Sequence, residues 1–323
     1  MANATEAFDL LVVDETHRLA QYGPQANGAM LNRFRTINQA LARDGEDWEQ
    51  LTQIDWIVRK SRHQVFLVDE GQSVRPIDIP SQVLGALRAR AVETKRHYPL
   101  SSQMRVLAEG DYLGYVRDVL SDEPPSDART FATYDLRFFE SASAMRDEIV
   151  RRDEEHGLSR LVAGYAWEWR TRKDHSPGAY DIELDGMRLC WNRSDIDWIN
   201  SAGSLDEVGS IHTVQGYDLN YVGVIIGPEL YYDATTRSVA IDRAHYFDRR
   251  GKSNLTMRGI TVTDDDVLAM VRNVYAVLMS RGMRGTYVYV CDPALREHLR
   301  PYFTARSRVP ARRQIGGNEH EHG

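Results

Sequence analysis

The sequence predicts an α/β fold built on a mostly parallel sheet, and two patterns carry that prediction. Short apolar runs of strand length alternate with longer stretches whose apolar residues recur every three or four positions, as in helices laid against a sheet. Several of the runs also stop abruptly in acids or polar turns, at the carboxyl edge where open α/β sheets bind ligands.

Taken in order, Phe8 to Val13 (FDLLVV) reads as a buried strand that ends in Asp14 and Glu15. A helical stretch from Ala26 to Ala42 leads to a second strand, Gln64 to Val68 (QVFLV), which ends in Asp69, Glu70, Gly71 and Gln72. Pro80 to Thr94 is helical, and a domain boundary falls near Lys95 to Leu100. Beyond it come a helix from Ala142 to Glu155 and strands at Arg160 to Tyr165 (RLVAGY) and Tyr221 to Gly227 (YVGVIIG). The clearest helix, Asp264 to Ser280, precedes a last strand, Gly285 to Val290 (GTYVYV). Thr263 and Asp266 form a capping-box pattern at its start, and Val267, Leu268, Val271, Val274, Tyr275 and Leu278 make one apolar stripe. Ser121 to Thr130 and Arg170 to Asp181 read as loops.

Composition narrows the classes of function. With 323 residues, 42% hydrophobic and 27% charged, the chain is of globular type and long enough for two domains. No apolar run approaches the ~20 residues that cross a bilayer, and no signal-peptide pattern opens the sequence, so a soluble, cytoplasmic protein is expected. Cys190 and Cys291 stand far apart, which indicates neither a disulfide framework nor a zinc knuckle. A net charge of −7 argues against coating nucleic acid by bulk electrostatics but leaves room for a local basic groove. Basic residues cluster at DRRGK (Asp248 to Lys252) and RSRVPARR near the C-terminus; a solvated face is the other reading of each.

An apolar strand ending in Asp-Glu, as at Asp14 and Glu15, is the Walker B arrangement of P-loop triphosphatases; a strand that merely ends in a solvated turn is the other reading. Asp14 at the strand's carboxyl edge is placed to hold Mg²⁺ through water, and Glu15 to orient an attacking water. The second strand repeats the design, with Gln72 able both to donate and to accept hydrogen bonds, as a phosphate sensor requires. A plain turn at DEGQ is the alternative. Three further blocks follow in order: LSSQMR (Leu100 to Arg105), the strand, polar turn and strand of VGSIHTVQGYDLNYVGVIIGPEL (Val208 to Leu230), and NVYAVLMSRGMRGTYVYV (Asn273 to Val290), in which a helix delivers Arg281 to a turn.

On VVDETHRL, VFLVDEGQSVRP, LSSQMR, LVAGYAWEW, IHTVQGYDLNYVGVIIGPEL and NVYAVLMSRGMRGTYVYV, the chain resembles the Schlafen group 3-like DNA/RNA helicase domains of helicase superfamily one, from Phe8 to about Leu299. That resemblance implies two RecA-like lobes with mostly parallel sheets, the first lobe incomplete. It places a partial first lobe in residues 1–97, a second lobe in 98–302 and a flexible basic, His-containing tail in 303–323. It implies ATP and Mg²⁺ as nucleotide and metal, single-stranded DNA or RNA as partner, and ATP hydrolysis coupled to translocation. By similarity, Asp14 binds Mg²⁺, Glu15 is the catalytic base, Gln72 is the sensor, and Arg105 and Arg281 reach the terminal phosphate. Thr213 and Gln215, with His212 beside them, match the motif that couples the nucleic-acid backbone to the nucleotide. Thr16 stands where the DEAH form has Ala, a small departure.

One expected part is missing. A Walker A loop, whose backbone N–H groups and Lys cradle the phosphates, belongs upstream of Walker B, yet only Met1 to Ala7 precede that strand. YFDRRGKS (Tyr246 to Ser253) ends in Gly-Lys-Ser but has Tyr where the pattern needs Gly, and no apolar strand leads into it. The chain therefore reads as the back two-thirds of a helicase, inactive alone, with a separate chain carrying the Walker A segment as a possible complement. An open apolar edge is expected on the first lobe. The competing class is a catalytically silent nucleic-acid-binding or interaction module that keeps the helicase fold.

Two weaker signals complete the reading. Trp167 and Trp169, followed by Arg170 and Arg172, suit a base-stacking platform, with core packing as the alternative. Asp181, Glu183 and Asp185 alternate without the nearby Lys of a metal-dependent nuclease and read as a solvent-facing strand edge.

Overall fold

The computed structural model describes residues 7–25, 27–100, 105–194, 197–214 and 216–304. Its first part is a two-stranded parallel sheet of β1 (Phe8–Val13) and β2 (Ser61–Phe66), in register from Phe8 opposite Ser61 to Val13 opposite Phe66. The crossover between them carries α1 (Gly28–Leu41) and α2 (Gln53–Arg59), and α3 (Ser81–Glu93) follows β2. Strand β2 lies about three residues earlier than its apolar run suggests, because the ladder uses backbone groups and accepts the polar Ser61, Arg62 and His63. Helix α2 is too short for periodicity to reveal; a capping box between Thr52 and Asp55 starts it.

The larger part is a seven-stranded sheet. Its strands are β3 (Asp135–Phe138), β4 (Ser159–Ala163), β5 (Ile182–Leu184), β6 (Met187–Trp191), β7 (Glu207–Gly209), β8 (Leu219–Ile226) and, two strands later in the chain, β11 (Gly282–Val290). Their spatial order is β3-β11-β8-β4-β7-β6-β5, parallel throughout except for the β5–β6 hairpin. Between β8 and β11 lies a small antiparallel ribbon of β9 (Leu230–Asp233) and β10 (Ser238–Ile241). The helices are α4 (Tyr112–Val119), α5 (Ala142–His156), the one-turn α6 (Ile211–Val214), α7 (Asp264–Met279) and α8 (Pro293–Phe303).

This α/β architecture with a mostly parallel central sheet is the predicted fold class, and the alternation along each strand shows why it forms. In β8, Val222, Val224 and Ile226 join Val271, Tyr275 and Leu278 of α7 and Leu295 of α8 in one core, while Tyr221 and Ile225 meet Met145 and Ile149 of α5 in the other. Central parallel strands are covered on both faces, which is why β8 reads as a continuous apolar run. The capping box of Thr263 and Asp266 is present at the start of α7, and all six residues of the stripe are buried.

Strand β4 sends the chain toward β5–β6–β7, and β8 sends it through α7 to β11 on the other side, although the two strands are neighbours. Connections thus diverge at the carboxyl ends of β4 and β8, a topological switch point where such sheets bind ligands.

Two local readings need correcting. HTVQG is not a polar turn: Ile211, His212, Thr213 and Val214 form α6, because Ile211 and Val214 bury apolar side chains in the main core. Asp181 is not solvent-facing; it is 6% exposed, and its carboxylate accepts from Thr171 N, the Thr171 hydroxyl and Trp191 N.

The small sheet contrasts with the large one. Leu10 and Val12 are 54% and 63% exposed, and Phe8 and Val65 are also exposed, so β1–β2 carries the open apolar surface expected of it. Among the described residues, no helix is long and apolar enough to cross a membrane.

Candidate active site

The carboxyl ends of β1 and β2 are tied together by backbone and side chain. Thr16 N donates to Leu67 O at 3.0 Å, and the Thr16 hydroxyl to Val13 O at 3.1 Å. Asp14 is exposed, and its Oδ1 accepts from Glu15 N at 2.8 Å. Glu15 adopts the left-handed conformation (φ 51°), which turns the chain out of the strand and aims its carboxylate back toward His17.

His17 is 2% exposed and sits between the two strand ends. Its Nδ1 accepts from Asp69 N at 3.3 Å, so in the neutral ring the proton lies on Nε2, which is 3.1 Å from Glu15 Oε2. That second contact is electrostatic rather than an aligned hydrogen bond, since Nε2 lacks a well-directed acceptor. Burial holds His17 below the ordinary imidazole value against the pull of Glu15 and Asp69. The sequence pattern drew attention to His17 only as a letter of the DEAH form; in the fold it connects the two acidic strand ends.

After β2, Asp69 organises a short 3₁₀ turn, Glu70–Gln72. Its carboxylate accepts from Gly71 N at 3.1 Å and from Gln72 Nε2 at 2.9 Å, and Arg117 Nη2 of α4 lies 3.4 Å away. A Cβ on Gly71 would stand 2.5 Å from that guanidinium nitrogen, so glycine lets the arginine of the larger sheet's unit approach the turn.

Two arginines from the larger unit complete the cleft. Arg105 pairs with Asp218 of the segment that follows α6. Arg281, between α7 and β11, is 2% exposed, and its Nε donates to Val277 O at 3.3 Å. Burial first, then the Arg105 charge, bring Arg281 down to about 10, while Asp218, Glu15 and Asp69 act in the opposite direction. Arg281 thus feels acids from both units, and Glu15, Asp69, Arg105 and Arg281 share one electrostatic neighbourhood. Sequence reading picked out Glu15, Gln72, Arg105 and Arg281; it named Asp69 only as a strand end and missed Arg117 and Asp218, although Asp69 fixes Gln72, Arg117 meets Asp69 and Asp218 pairs with Arg105.

The residues matched to nucleic-acid contact are more enclosed. The Thr213 hydroxyl accepts from Ser210 N at 2.9 Å and donates to Ser210 O at 3.0 Å, capping α6. His212 turns its Nε2 to Arg75, and burial together with the Arg75 charge pushes it down to about 4. Gln215 lies outside the described residues. Trp167 is half-buried, its ring 6.4 Å from that of Trp191 and packed on the α5-side core; Trp169 lies under the Arg172 guanidinium at 5.1 Å. In the GKS segment, Lys252 Nζ donates to Arg243 O and Tyr246 O, so that lysine braces its own loop.

In sequence, the chain is similar to known proteins. The sequence model of a family described as "Schlafen group 3, DNA/RNA helicase domain" matches residues 1–292. A Saccharomyces cerevisiae protein titled "Uncharacterized protein YPL245W" is 31% identical over 221 residues, covering 62% of this chain. The match spans 47% of the yeast protein's own length, about half of it.

Proposed function

This chain belongs to the Schlafen group 3 DNA/RNA helicase domain family, and we propose that it carries the Walker B, sensor and second-lobe portion of a nucleic-acid-dependent ATPase. The observation that supports this reading is that the acidic turn meets arginines of the larger unit: Arg117 Nη2 lies 3.4 Å from Asp69, and the charges of Glu15 and Asp69 act on Arg281 together with that of Arg105. In this reading residues 1–97 and 98–302 are two RecA-like lobes, and the cleft is the nucleotide site between them.

The residues fit a magnesium–nucleotide complex in part. Asp14 presents an exposed carboxylate at the carboxyl end of β1, suited to hold Mg²⁺ through water, and the metal would neutralise phosphate oxygens. Glu15, held near His17 Nε2–H, would orient a water and take its proton. Gln72, fixed by Asp69, would present its amide to the terminal phosphate. Arg105 and Arg281 would meet the negative charge that develops there, Arg105 after leaving Asp218. Single-stranded DNA or RNA is the proposed partner, with α6 and Trp167 on its side of the molecule.

The phosphate cradle is the part that this sequence does not supply in recognisable form. Residues 1–323 alone should hydrolyse little ATP, because Asp14 acts through a metal that bound phosphates help to hold. Steady-state hydrolysis with and without single-stranded DNA and RNA tests this. Robust turnover that Glu15→Gln abolishes would overturn the expected inactivity while supporting the site. In a second reading the chain is a nucleic-acid-binding module without catalysis. Co-expression with a Gly-Lys-Thr/Ser loop segment encoded next to Met1, in frame or in an adjacent frame, separates the two: restored hydrolysis supports the motor, and binding without hydrolysis supports the module.

A further inference from the structure

Beyond Gln72 the chain packs against the larger unit. Ser73 O accepts from Asn273 Nδ2 of α7 at 2.9 Å, and Val74, 5% exposed, belongs to the main apolar core beside Val271 and Val274. Buried Asp78 then fixes the turn: its Oδ2 accepts from both Val74 N and Arg75 N at 3.0 Å. From this held backbone the Arg75 side chain reaches into the larger unit. Its Nη2 meets His212 Nε2, and its Nε lies 3.5 Å from Asp248 Oδ2.

A guanidinium can only donate, so His212 Nε2 accepts and the ring is neutral with its proton on Nδ1. The other charges around that ring are Arg18 of the smaller unit and Arg250 and Asp248 of the loop after β10. Only Asp248 favours a cation there. Mere adhesion between the units would be served by an apolar contact, as Val74 already provides. The guanidinium instead donates to one ring nitrogen and lies 3.5 Å from one carboxylate, a pairing that depends on how the units are placed. Arg75 lies three residues after Gln72, and His212 is the second residue of α6, so this contact joins the segment after the Asp69–Gln72 turn to α6.

We propose that Arg75 is a positioning residue that couples the Asp69–Gln72 turn to α6, so that displacement of the turn reaches α6 only while Arg75 sits between His212 and Asp248. The inference rests on the junction's geometry rather than on nucleotide hydrolysis, and its test uses no nucleotide. Hydrogen exchange is followed at Thr213 N and Val214 N, both bonded to Ser210 O, in the full chain and in the Gln72→Ala, Arg75→Gln and doubly substituted proteins. Each single substitution should speed exchange at these amides, by roughly tenfold for Arg75→Gln, the loss of one charge-assisted hydrogen bond. In the double variant Gln72→Ala should add nothing, and amides of β8 and β11 should keep their protection in every case. Histidine-labelled NMR gives an independent signature: His212 should titrate above about 4 in Arg75→Gln, because a lowering charge has gone. Additive effects of the two substitutions, or an unmoved His212 titration, would overturn the proposal. If Arg75→Gln unfolds, Arg75→Lys retains charge and stem without the fork; coupling lost with the fold intact supports the proposal, and coupling retained refutes it.

Discussion

Replacing Glu229 by Gln should make the protein more stable above neutral pH and leave it nearly unchanged in mild acid. Glu229 follows β8 at the switch-point crevice and has no exposed surface. Its Oε1 accepts from the Tyr275 hydroxyl, which in turn accepts from Gly227 N at 2.9 Å, while Oε2 has no hydrogen-bond partner among the described residues. A Cβ on Gly227 would lie 2.4 Å from Oε2, so glycine admits the carboxyl group to this site. Burial pushes Glu229 from 4.5 up to about 7. Because the folded value is the higher one, the acid's stabilising contribution is whole below about 4.5 and is lost as pH rises through about 7. A rise from 4.5 to about 7 corresponds to roughly 3 kcal/mol at ~1.36 kcal/mol for each pH unit. Glutamine keeps the acceptor for Tyr275 and never ionises. Urea unfolding of both proteins at several values between about pH 4 and pH 9 gives the difference directly, and contributions from other titrating groups cancel. Two stability curves that run parallel across that range would show that Glu229 is ionised in the fold at no such penalty, and would refute the reasoning.

His212 acts in the opposite sense: its folded value is depressed from 6.5 to about 4, so stability present above 6.5 is lost as pH falls toward 4, by about 3 kcal/mol at most. His212→Gln should flatten that acid limb in the same unfolding series. Trp167→Ala should lower stability by roughly 2 kcal/mol, below the ~3–5 kcal/mol of a fully buried aromatic, because the half-buried ring packs near Trp191 and against Gly227. A thermal melt left unmoved, with single-strand affinity reduced, would assign Trp167 to base stacking instead. Thr263→Ala removes the hydroxyl that accepts from Asp266 N and should cost about 1 kcal/mol in chemical denaturation.

Much of the larger unit was legible because its signals are local. The stripe of α7 repeats within sixteen residues, and β8 and β11 end in apolar runs, YVGVII and YVYV. Helix α4 escaped notice although it buries Tyr112, Tyr115, Val116 and Val119, since its eight residues offer barely two turns and its apolar face is half tyrosine and valine. Strand β6 passed unread at five residues, whereas the short strands β5 and β7 were read from the alternation at Asp181 to Asp185 and from the run that opens at Val208. The same limit divides the site. Glu15, Gln72 and Arg281 stand at strand or helix ends, where residue type and position alone suggest chemistry. Their partners come from far along the chain: Arg117 is 48 residues from Asp69, Asp218 is 113 from Arg105, and His212 is 137 from Arg75. Nothing in a local pattern marks such pairs, because the fold creates them.

Arg281 shows how those long-range pairs shape the cleft. A guanidinium stays protonated at neutral pH even at about 10, so burying it beside Arg105 is unfavourable unless opposite charge is near. Asp218 supplies some from the same unit; Glu15 and Asp69 supply the rest from across the cleft. Contact between the units and entry of an anion therefore draw on the same cation, and each acid that leans on Arg281 opposes a phosphate that would do so. On this hypothesis Asp69→Asn, which keeps a hydrogen-bonding side chain but removes a charge, should tighten binding of inorganic triphosphate by several-fold in calorimetry, on the order of a charge pair weakened by solvent. It should also loosen the Glu70–Gln72 turn, visible as faster amide exchange there, because Gln72 Nε2 and Arg117 lose a carboxylate partner. Triphosphate binding that weakens or stays constant while the turn loosens would mean that Asp69 serves the turn alone, and that the charge on Arg281 is balanced within its own unit by Asp218.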